Sequence, residues 1–309
     1  MSKESTRLNS IQRLAKLKPV IQRRNKLLHS IRKFFTKESF IEIETPVIID
    51  APLPEPNIEA ISTDNGFLRT SPEAMLKACL AAGYEKIFEI GPCFRKEERG
   101  RLHREEFSML EWYQVNVDST QLISFTKNLL IHCAVELNGH SKINYLDKTV
   151  DLNSDWEIIS LKDAFAKFAN LTLEESVGKN RFELDLLDKI EPNLPQNKPI
   201  IITDYPAKFR AFAKLKDSDN TLADRWELYI AGVEISNTYS ELVEPCEIRK
   251  LISQFQQERK KLKMKDYPLP AIFMEAIKAG IPKSAGSALG IDRLLMLLTS
   301  SNSIEDVKI

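Results

Sequence analysis

The sequence predicts an α+β fold, an antiparallel sheet flanked by helices. Three observations point to it. Runs with strand alternation come in clusters joined by turns, amphipathic helical runs fill the intervals, and strands rarely alternate singly with helices as a parallel sheet would require. The 309 residues suit one large domain, or one domain with an insertion, and are ample for a sizeable core.

Taken in order, Ile21 to Phe35 sets Ile21, Leu27, Leu28, Ile31 and Phe34 at helical period against Arg23, Arg24, Arg32 and Lys33. "FIEIETPVI" (Phe40 to Ile48) alternates at period two and stops near Pro46, which predicts a strand. "APLPEPNIEA" carries three prolines and predicts an irregular, extended crossover. Ala74 to Ala82 reads as a helix, with Ser71 as its cap, Pro72 at its first position and Gly83 as its stop. Tyr84 to Gln114 reads as strand, long charged loop, strand, and Gln121 to Leu137 as a helix. Ser160 to Phe168 and Arg181 to Ile190 predict two more helices in a less distinctive region. "KPIIITDYP" (Lys198 to Pro206) is a buried strand, and Arg225 to Leu242 a hairpin turning near Ala231–Gly232. Ile248 to Met264 is a charged helix and Phe273 to Ala279 a shorter one. Ser284 to Thr299 reads as a strand, Gly290, then an apolar helix.

Basic and acidic residues balance, 44 against 44, which argues against a general nucleic-acid binder. Charge is uneven, however. The basic residues from Lys3 to Lys33 oppose one acid, Glu4, and a second basic run spans Arg259 to Lys265. Each is a solvated helix face or a docking surface for an acidic partner. Cys79, Cys93, Cys133 and Cys246 form no CxxC pair and no metal-like cluster with the histidines, so buried thiols in a reducing compartment are expected. No basic-then-apolar leader opens the chain and no apolar run reaches membrane-spanning length, so a cytoplasmic protein is expected.

Chemistry concentrates in three stretches. In Ile87 to Arg95, Glu89, Gly91, Cys93 and Arg95 share one strand face; in Phe107 to Gln114, Phe107, Met109, Glu111 and Tyr113 do. If these strands pair, Arg95, Glu89, Glu111, Tyr113 and Phe107 share a surface. That surface is either an Arg–Glu pair stitching the sheet or a site gripping an anion with Arg95 and stacking a base on Phe107. In the second stretch, Tyr229 faces Glu234 across the turn, and Glu227 is its diagonal neighbour. With no basic residue between them, the two carboxylates suit Mg²⁺ bridging phosphates, or else an exposed face screened by water. Asn237, Tyr239 and Glu241 have the opposite parity to Glu234, which predicts a bulge. A Glu beside an aromatic ring can hold an ammonium group, and an ordinary polar face is the alternative. In the third stretch, "AGSALGIDRLLMLL", Gly286 and Gly290 allow close backbone approach. Arg293 sits at a helix start, where the dipole disfavours a cation unless an anion faces it.

Together these stretches resemble the three signature motifs of class II aminoacyl-tRNA synthetases, lysyl branch: "ETPVI", "FRKEERGRLHREEFSMLEWY" and "GSALGIDRLLML". The resemblance covers most of Lys26 to Ile309 and is weaker from about 117 to 215. A single catalytic domain over 1–309 is expected. Only about 25 residues precede the first motif, too few for the anticodon-binding OB-fold of that branch. A freestanding domain of this kind is similar to the elongation factor P–lysine ligases, which attach lysine or (R)-β-lysine to a lysine side chain of elongation factor P. Ser71 and Ala288 lean the same way, standing where the synthetases usually have Ala and Gly beside the amino-acid pocket.

The resemblance implies ATP and Mg²⁺, a homodimer, elongation factor P as acceptor and no tRNA binding. It implies that Arg95 holds the α-phosphate and carboxylate, that Glu97 meets the adenine edge, and that His103 and Arg293 bind the outer phosphates. Phe107 and Arg293 would sandwich adenine, and Glu227 and Glu234 would bind Mg²⁺. Glu73, Glu111, Tyr113, Asn237, Tyr239 and Glu241 would line the lysine pocket, Glu241 meeting the ε-ammonium. Two segments depart from the family: His103-Arg104-Glu105-Glu106-Phe107 replaces His-Asn-Pro-Glu-Phe, and Asn237-Thr238-Tyr239 replaces Asn-Gly-Phe. The alternatives are a tRNA-charging enzyme without an anticodon domain, a small-molecule ligase that keeps the adenylate, and an inactive regulator.

Overall fold

The computed structural model describes residues 3–309, with side chains from Ser10 onward; the side chains of Lys3, Glu4 and Arg7 lie outside the described residues. Helix α1 (Lys3–Lys37) starts well before Ile21 and carries Pro19 inside it. Its buried stripe is Leu17, Leu27, Ile31, Phe34 and Phe35. Part of the basic series is engaged within the protein, while Lys16, Lys18 and Lys26 are exposed. Arg24 pairs with Asp292 at 2.5 Å, Arg23 donates to the carbonyl of Leu298, and Arg32 and Lys33 pair with Glu42 and Glu136.

The strand expected over Phe40 to Ile48 is two short ones, β1 (Ile41–Glu42) and β2 (Ile48–Ile49). Pro46 between them has no N–H for a ladder. β3 (Ser62–Thr63) and β4 (Gly66–Leu68) complete a small sheet in the order β2-β4-β3. Residues 50–60 form the extended crossover that the prolines predicted. Helix α2 (Glu73–Ala81) has Pro72, not Ser71, at its N-cap position, and no side-chain hydrogen bond caps it. Gly83 stops it with φ +97°.

β5 (Lys86–Phe94) and β6 (Glu106–Val115) flank the charged loop. α3 (Ser119–Asn138) opens on a reciprocal capping box between Asp118 and Gln121, an arrangement that contributes about 1 kcal/mol. A hairpin, β7 (Lys142–Tyr145) and β8 (Lys148–Asp151), follows, then β9 (Glu157–Ser160), α4 (Leu161–Phe168) and α5 (Leu173–Gly178). The helix expected over Arg181 to Ile190 divides into α6 (Phe182–Asp185) and a π-helical turn, Leu186–Ile190. Next come β10 (Ile200–Thr203), β11 (Leu215–Lys216), β12 (Asp219–Ala223), β13 (Arg225–Ile230) and β14 (Val233–Ser240). The chain closes with α7 (Pro245–Lys261), α8 (Ala271–Ala279), β15 (Ser284–Gly290) and α9 (Ile291–Thr299).

Eight strands form the main sheet in the order β1-β5-β6-β15-β14-β13-β10-β9. The pairing is antiparallel except at the edges, where β1–β5 and β9–β10 run parallel. Strand alternation sends Phe88, Leu110, Trp112 and Leu228 into one core with α1, α3 and α9. The opposite parity sends Tyr229 and Tyr239 toward α7 and α8 in a second core with Phe212 and Phe273. The site occupies this second face. Arg259, expected in a basic docking run, is fully buried: it donates to the carbonyls of Glu55 and Ile58 at 2.8 Å and lies 4.3 Å from the Tyr267 ring. Cys93 and Cys133 are buried as expected, whereas Cys246 is exposed and Cys79 half-buried. Among the described residues no helix is long and apolar enough to cross a membrane.

Candidate active site

Sheet register assembles the site from two rows of residues. One row runs Glu227, Asn237, Ala288, Glu111, Glu89 across five strands; the other runs Arg225, Tyr239, Gly286, Tyr113, Ile87. The rows are two residues apart along each strand, so their side chains emerge on one face. Glu234 has the wrong parity for this face, and the predicted bulge corrects it. The pair Leu228–Ser236 is followed by Tyr229–Glu234, leaving Ile235 extra. Ala231 and Gly232, at φ 50° and 76°, make the tight turn beyond it.

A cavity of about 1030 Å³ lies over the face. Arg95, His103, Phe107, Glu227, Glu234 and Arg293 line it, and so do Ser71, Glu73, Glu111, Tyr113, Asn237, Tyr239 and Ala288. Glu97 and Glu241 do not. The Glu97 side chain is exposed beside Lys96, with its backbone at φ 67°, and its neighbour Glu98 faces the cavity instead, 3.6 Å from Arg95. The departing residues of this loop have structural partners. Glu105 accepts the Glu97 N–H at 2.9 Å and pairs with Arg99 at 2.6 Å, and Arg104 reaches Glu305 at 3.3 Å.

One part of the cavity is suited to anions. The Arg95 guanidinium lies 5.1 Å above the Phe107 ring, and its Nε is buried without a hydrogen-bond partner. Arg293 contacts His103 Nε2 at 2.8 Å and donates to both the carbonyl and the carboxylate of Glu234 at 3.0 Å. Burial and the adjacent Arg293 lower the His103 pKa, so its ring is a neutral acceptor toward that arginine. Burial alone would raise Glu234, but Arg293 holds it below the usual carboxylate value. Glu227 accepts from Tyr205 at 2.6 Å, Tyr229 at 2.8 Å and Arg225 at 2.5 Å. Burial pushes it up against the pull of Arg225. The expectation of no basic residue beside this acid pair is thus corrected, since each carboxylate has its own arginine. Among the described residues no three His, Cys, Asp or Glu side chains form a metal cluster. Two carboxylates completed by phosphate oxygens still meet the requirement of Mg²⁺. Glu234, with one oxygen outside its arginine contact, fits that role better than the fully engaged Glu227.

The other part is suited to cations. Glu73 accepts from Tyr239 at 2.9 Å and Glu111 from Tyr113 at 2.6 Å. Burial, with Glu73 next to it, raises Glu111 well above the usual value. Burial and Glu73 likewise raise Glu55, on the crossover, to about 7. Glu241 meets an internal cation, the buried ammonium of Lys77 at 2.6 Å. Gly286 is required between the two tyrosines of its row, because a Cβ there would lie 2.3 Å from Tyr113. Thr238, where the family has Gly, points to the opposite side and meets Ser287 at 2.6 Å. Glu89 shares the strand face but serves the sheet. It is buried against Arg69 at 2.5 Å and accepts from Thr45, so the carboxylate of the stitching pair was foreseen but its arginine is Arg69 and not Arg95.

Sequence reasoning missed Glu55, Arg69, Lys77, Glu98 and Arg225. Two left signals. Lys77 is the only base in the apolar helix "EAMLKACLA", four residues after Glu73. Arg225 has the same strand parity as Glu227.

The fold and this site together define a class II synthetase-type catalytic domain. The chain belongs to the family tRNA synthetases class II (D, K and N), which matches residues 3–309. It is similar to the lysine–tRNA ligase of Wigglesworthia glossinidia brevipalpis, 32% identical over 311 residues, covering 92% of this chain and 62% of that protein. The lysine–tRNA ligase of Helicobacter pylori is 34% identical over 315 residues, covering 94% and 63%. That of Prochlorococcus marinus is 32% identical over 315 residues, covering 93% and 62%. The chain therefore spans a little under two thirds of the length of these relatives.

Proposed function

We propose that the protein is an ATP-dependent ligase, acting as a homodimer, that activates lysine or (R)-β-lysine as an adenylate and transfers it to a lysine side chain of elongation factor P. One observation carries this reading. A single cavity joins a group of arginines, two of which (Arg95 at Nε and Arg104 at Nη1) have a buried guanidinium nitrogen lacking a partner, to a group of carboxylates suited to ammonium.

The substrate carboxylate, already ionised at neutral pH, attacks the α-phosphorus of ATP, and pyrophosphate leaves without need of a general base. Arg95 donates to the oxygens on which charge accumulates, and His103 and Arg293 orient the leaving phosphates. Phe107 offers its ring to adenine. Mg²⁺, held by Glu234 and Glu227, would neutralise charge on the departing pyrophosphate. Glu73, Glu111 and Tyr239 hold the amino-acid end. In the second half-reaction the acceptor amine, having lost a proton, attacks the adenylate carbonyl, an amide forms and AMP leaves. Ser71 and Ala288, both lining the cavity, support an amino group shifted from the α position.

Incubation with ATP, Mg²⁺, each lysine isomer and elongation factor P, followed by mass spectrometry, tests the reading. A mass gain of one lysyl residue on elongation factor P is expected, and its absence with both isomers refutes it. Arg95→Ala is expected to lower lysine-dependent pyrophosphate exchange about 10²–10³-fold, as loss of a transition-state donor does. Similarity to lysine–tRNA ligases favours a second reading, lysine transfer to tRNA. Charging of tRNA in the same assay, with elongation factor P unmodified, selects it.

A further inference from the structure

Helix α2 carries one fully buried ammonium into the carboxylate group. Lys77 Nζ lies 2.5 Å from Glu73 Oε1 and 2.6 Å from Glu241 Oε2. The rings of Phe212, Tyr239 and Phe273 stand 5.0, 5.6 and 5.8 Å from it. Its side chain is 1% exposed and that of Glu241 0%. A charge so enclosed must be balanced by its immediate neighbours. Burial would pull Lys77 down, yet Glu241 and Glu73 outweigh it and hold the ammonium charged above the ordinary lysine range.

Each carboxylate gives Lys77 one oxygen. Glu73 Oε1 is also filled by the Tyr239 hydroxyl. Its other oxygen has no hydrogen bond among the described residues, and Glu73 lines the cavity. Glu241 Oε1 is buried without a hydrogen-bond partner. It lies against Gly286 of the cavity wall, where a Cβ would come within 2.8 Å of it.

We propose that Lys77 is a positioning residue that sets specificity for a diamino acid: it occupies one oxygen of Glu73 and one of Glu241, and directs the other oxygen of each to a substrate ammonium. The inference rests on the lysine-activating reading and assigns a role that reading does not contain. It follows from charge balance. With Lys77 present, the two acids, once ionised, keep a net single negative charge for the substrate. Without Lys77 the two acids face each other and one takes a proton at neutral pH. With Gln at 241 and Lys77 retained, no net negative charge remains there. Removing both partners restores one carboxylate and no internal cation. Glu55, Glu111, Tyr113 and Tyr239 surround the pair and stay constant through the series.

The test is a double-mutant cycle in lysine-dependent ATP–pyrophosphate exchange, with kcat and KM measured from pH 6.5 to 8.5 and melting temperatures recorded for each variant. Lys77→Met and Glu241→Gln are each expected to raise the lysine KM about tenfold or more, with kcat within about threefold. Lys77→Met/Glu241→Gln is expected to exceed Glu241→Gln in kcat/KM by about tenfold. The KM of Lys77→Met falls as pH rises, because a proton must leave before lysine binds; that of the double variant does not. A double variant no better than Glu241→Gln overturns the inference, and this comparison stands even where Lys77→Met fails to fold. Wild-type protein without lysine-dependent exchange overturns the functional reading as well, whereas exchange with an unrescued double variant overturns the inference alone.

Discussion

At Gly286 the absence of one atom decides whether two tyrosines and a carboxylate can converge. An added Cβ would sit 2.3 Å from Tyr113 Cε1 and 2.8 Å from Glu241 Oε1, separations that only displacement of a ring or an acid can relieve. Gly286→Ala is expected to destabilise the protein by about 1–3 kcal/mol, as overpacking does. Its lysine KM should rise while its ATP KM stays put; thermal melts and exchange kinetics measure both. Arg69, just past β4, illustrates the opposite kind of residue, one that holds the sheet through Glu89 of the strand-face pattern rather than a substrate. Its guanidinium and Glu89 are 1% and 3% exposed. Arg69→Met leaves a buried carboxylate with only Thr45 as partner, so a loss of about 3–5 kcal/mol is expected. Urea unfolding of this variant, and of Arg69→Met/Glu89→Gln, would check it: the second substitution should recover at least half the loss.

Among the elements, those whose pattern is short-range were the legible ones. The hairpin β13–β14, its bulge at Ile235 and the β15-to-α9 junction follow from parity and from two glycines. Strand parity alone also groups Arg95, Phe107, Glu111 and Tyr113. What stayed hidden depends on distant pairing. Nothing local to Glu105 says that it closes its loop on the Glu97 amide, and the crossover's proline pattern does not say that Arg259, two hundred residues on, fastens it. The basic character of Arg259 suggested a surface because lysines and arginines in sequence look alike whether they face water or carbonyls. That buried arginine fastens the crossover where Glu55 lines the cavity. Arg259→Met should free residues 55–60 and raise the lysine KM about tenfold, equivalent to ~1.4 kcal/mol, while leaving the ATP KM within about threefold. An unchanged lysine KM would show that the crossover is positioned by other contacts.

Across the whole molecule net charge is zero, yet the cavity is polarised, with Arg95, His103 and Arg293 in one group and Glu55, Glu73 and Glu111 in another, Glu241 lying buried behind the latter. This polarity has a cost that pH exposes. Burial, opposed by Lys77 and reinforced by Glu73, raises Glu241 to about 8, and burial with Glu73 raises Glu55 to about 7. Unfolded, both titrate near 4.5. A carboxyl raised on folding binds protons more tightly in the native state, so the stability it contributes is fully present below pH 4.5 and is lost as pH rises through 7 to 8. His103 is shifted the other way, but its window lies below its unfolded value of 6.5, so measurements above pH 7 avoid it. The free protein is therefore expected to melt lower at pH 8.5 than at pH 7, by about 2–4 °C for each kcal/mol lost. On the proposed function, a bound diamino acid would supply the missing positive charge where the acids have ionised. Saturating lysine should thus raise the melting temperature more at pH 8.5 than at pH 7, while norleucine, with the same chain and no ε-ammonium, should show little of that increase. Equal stabilisation by lysine at both pH values would mean that these carboxyls do not face the bound amino acid.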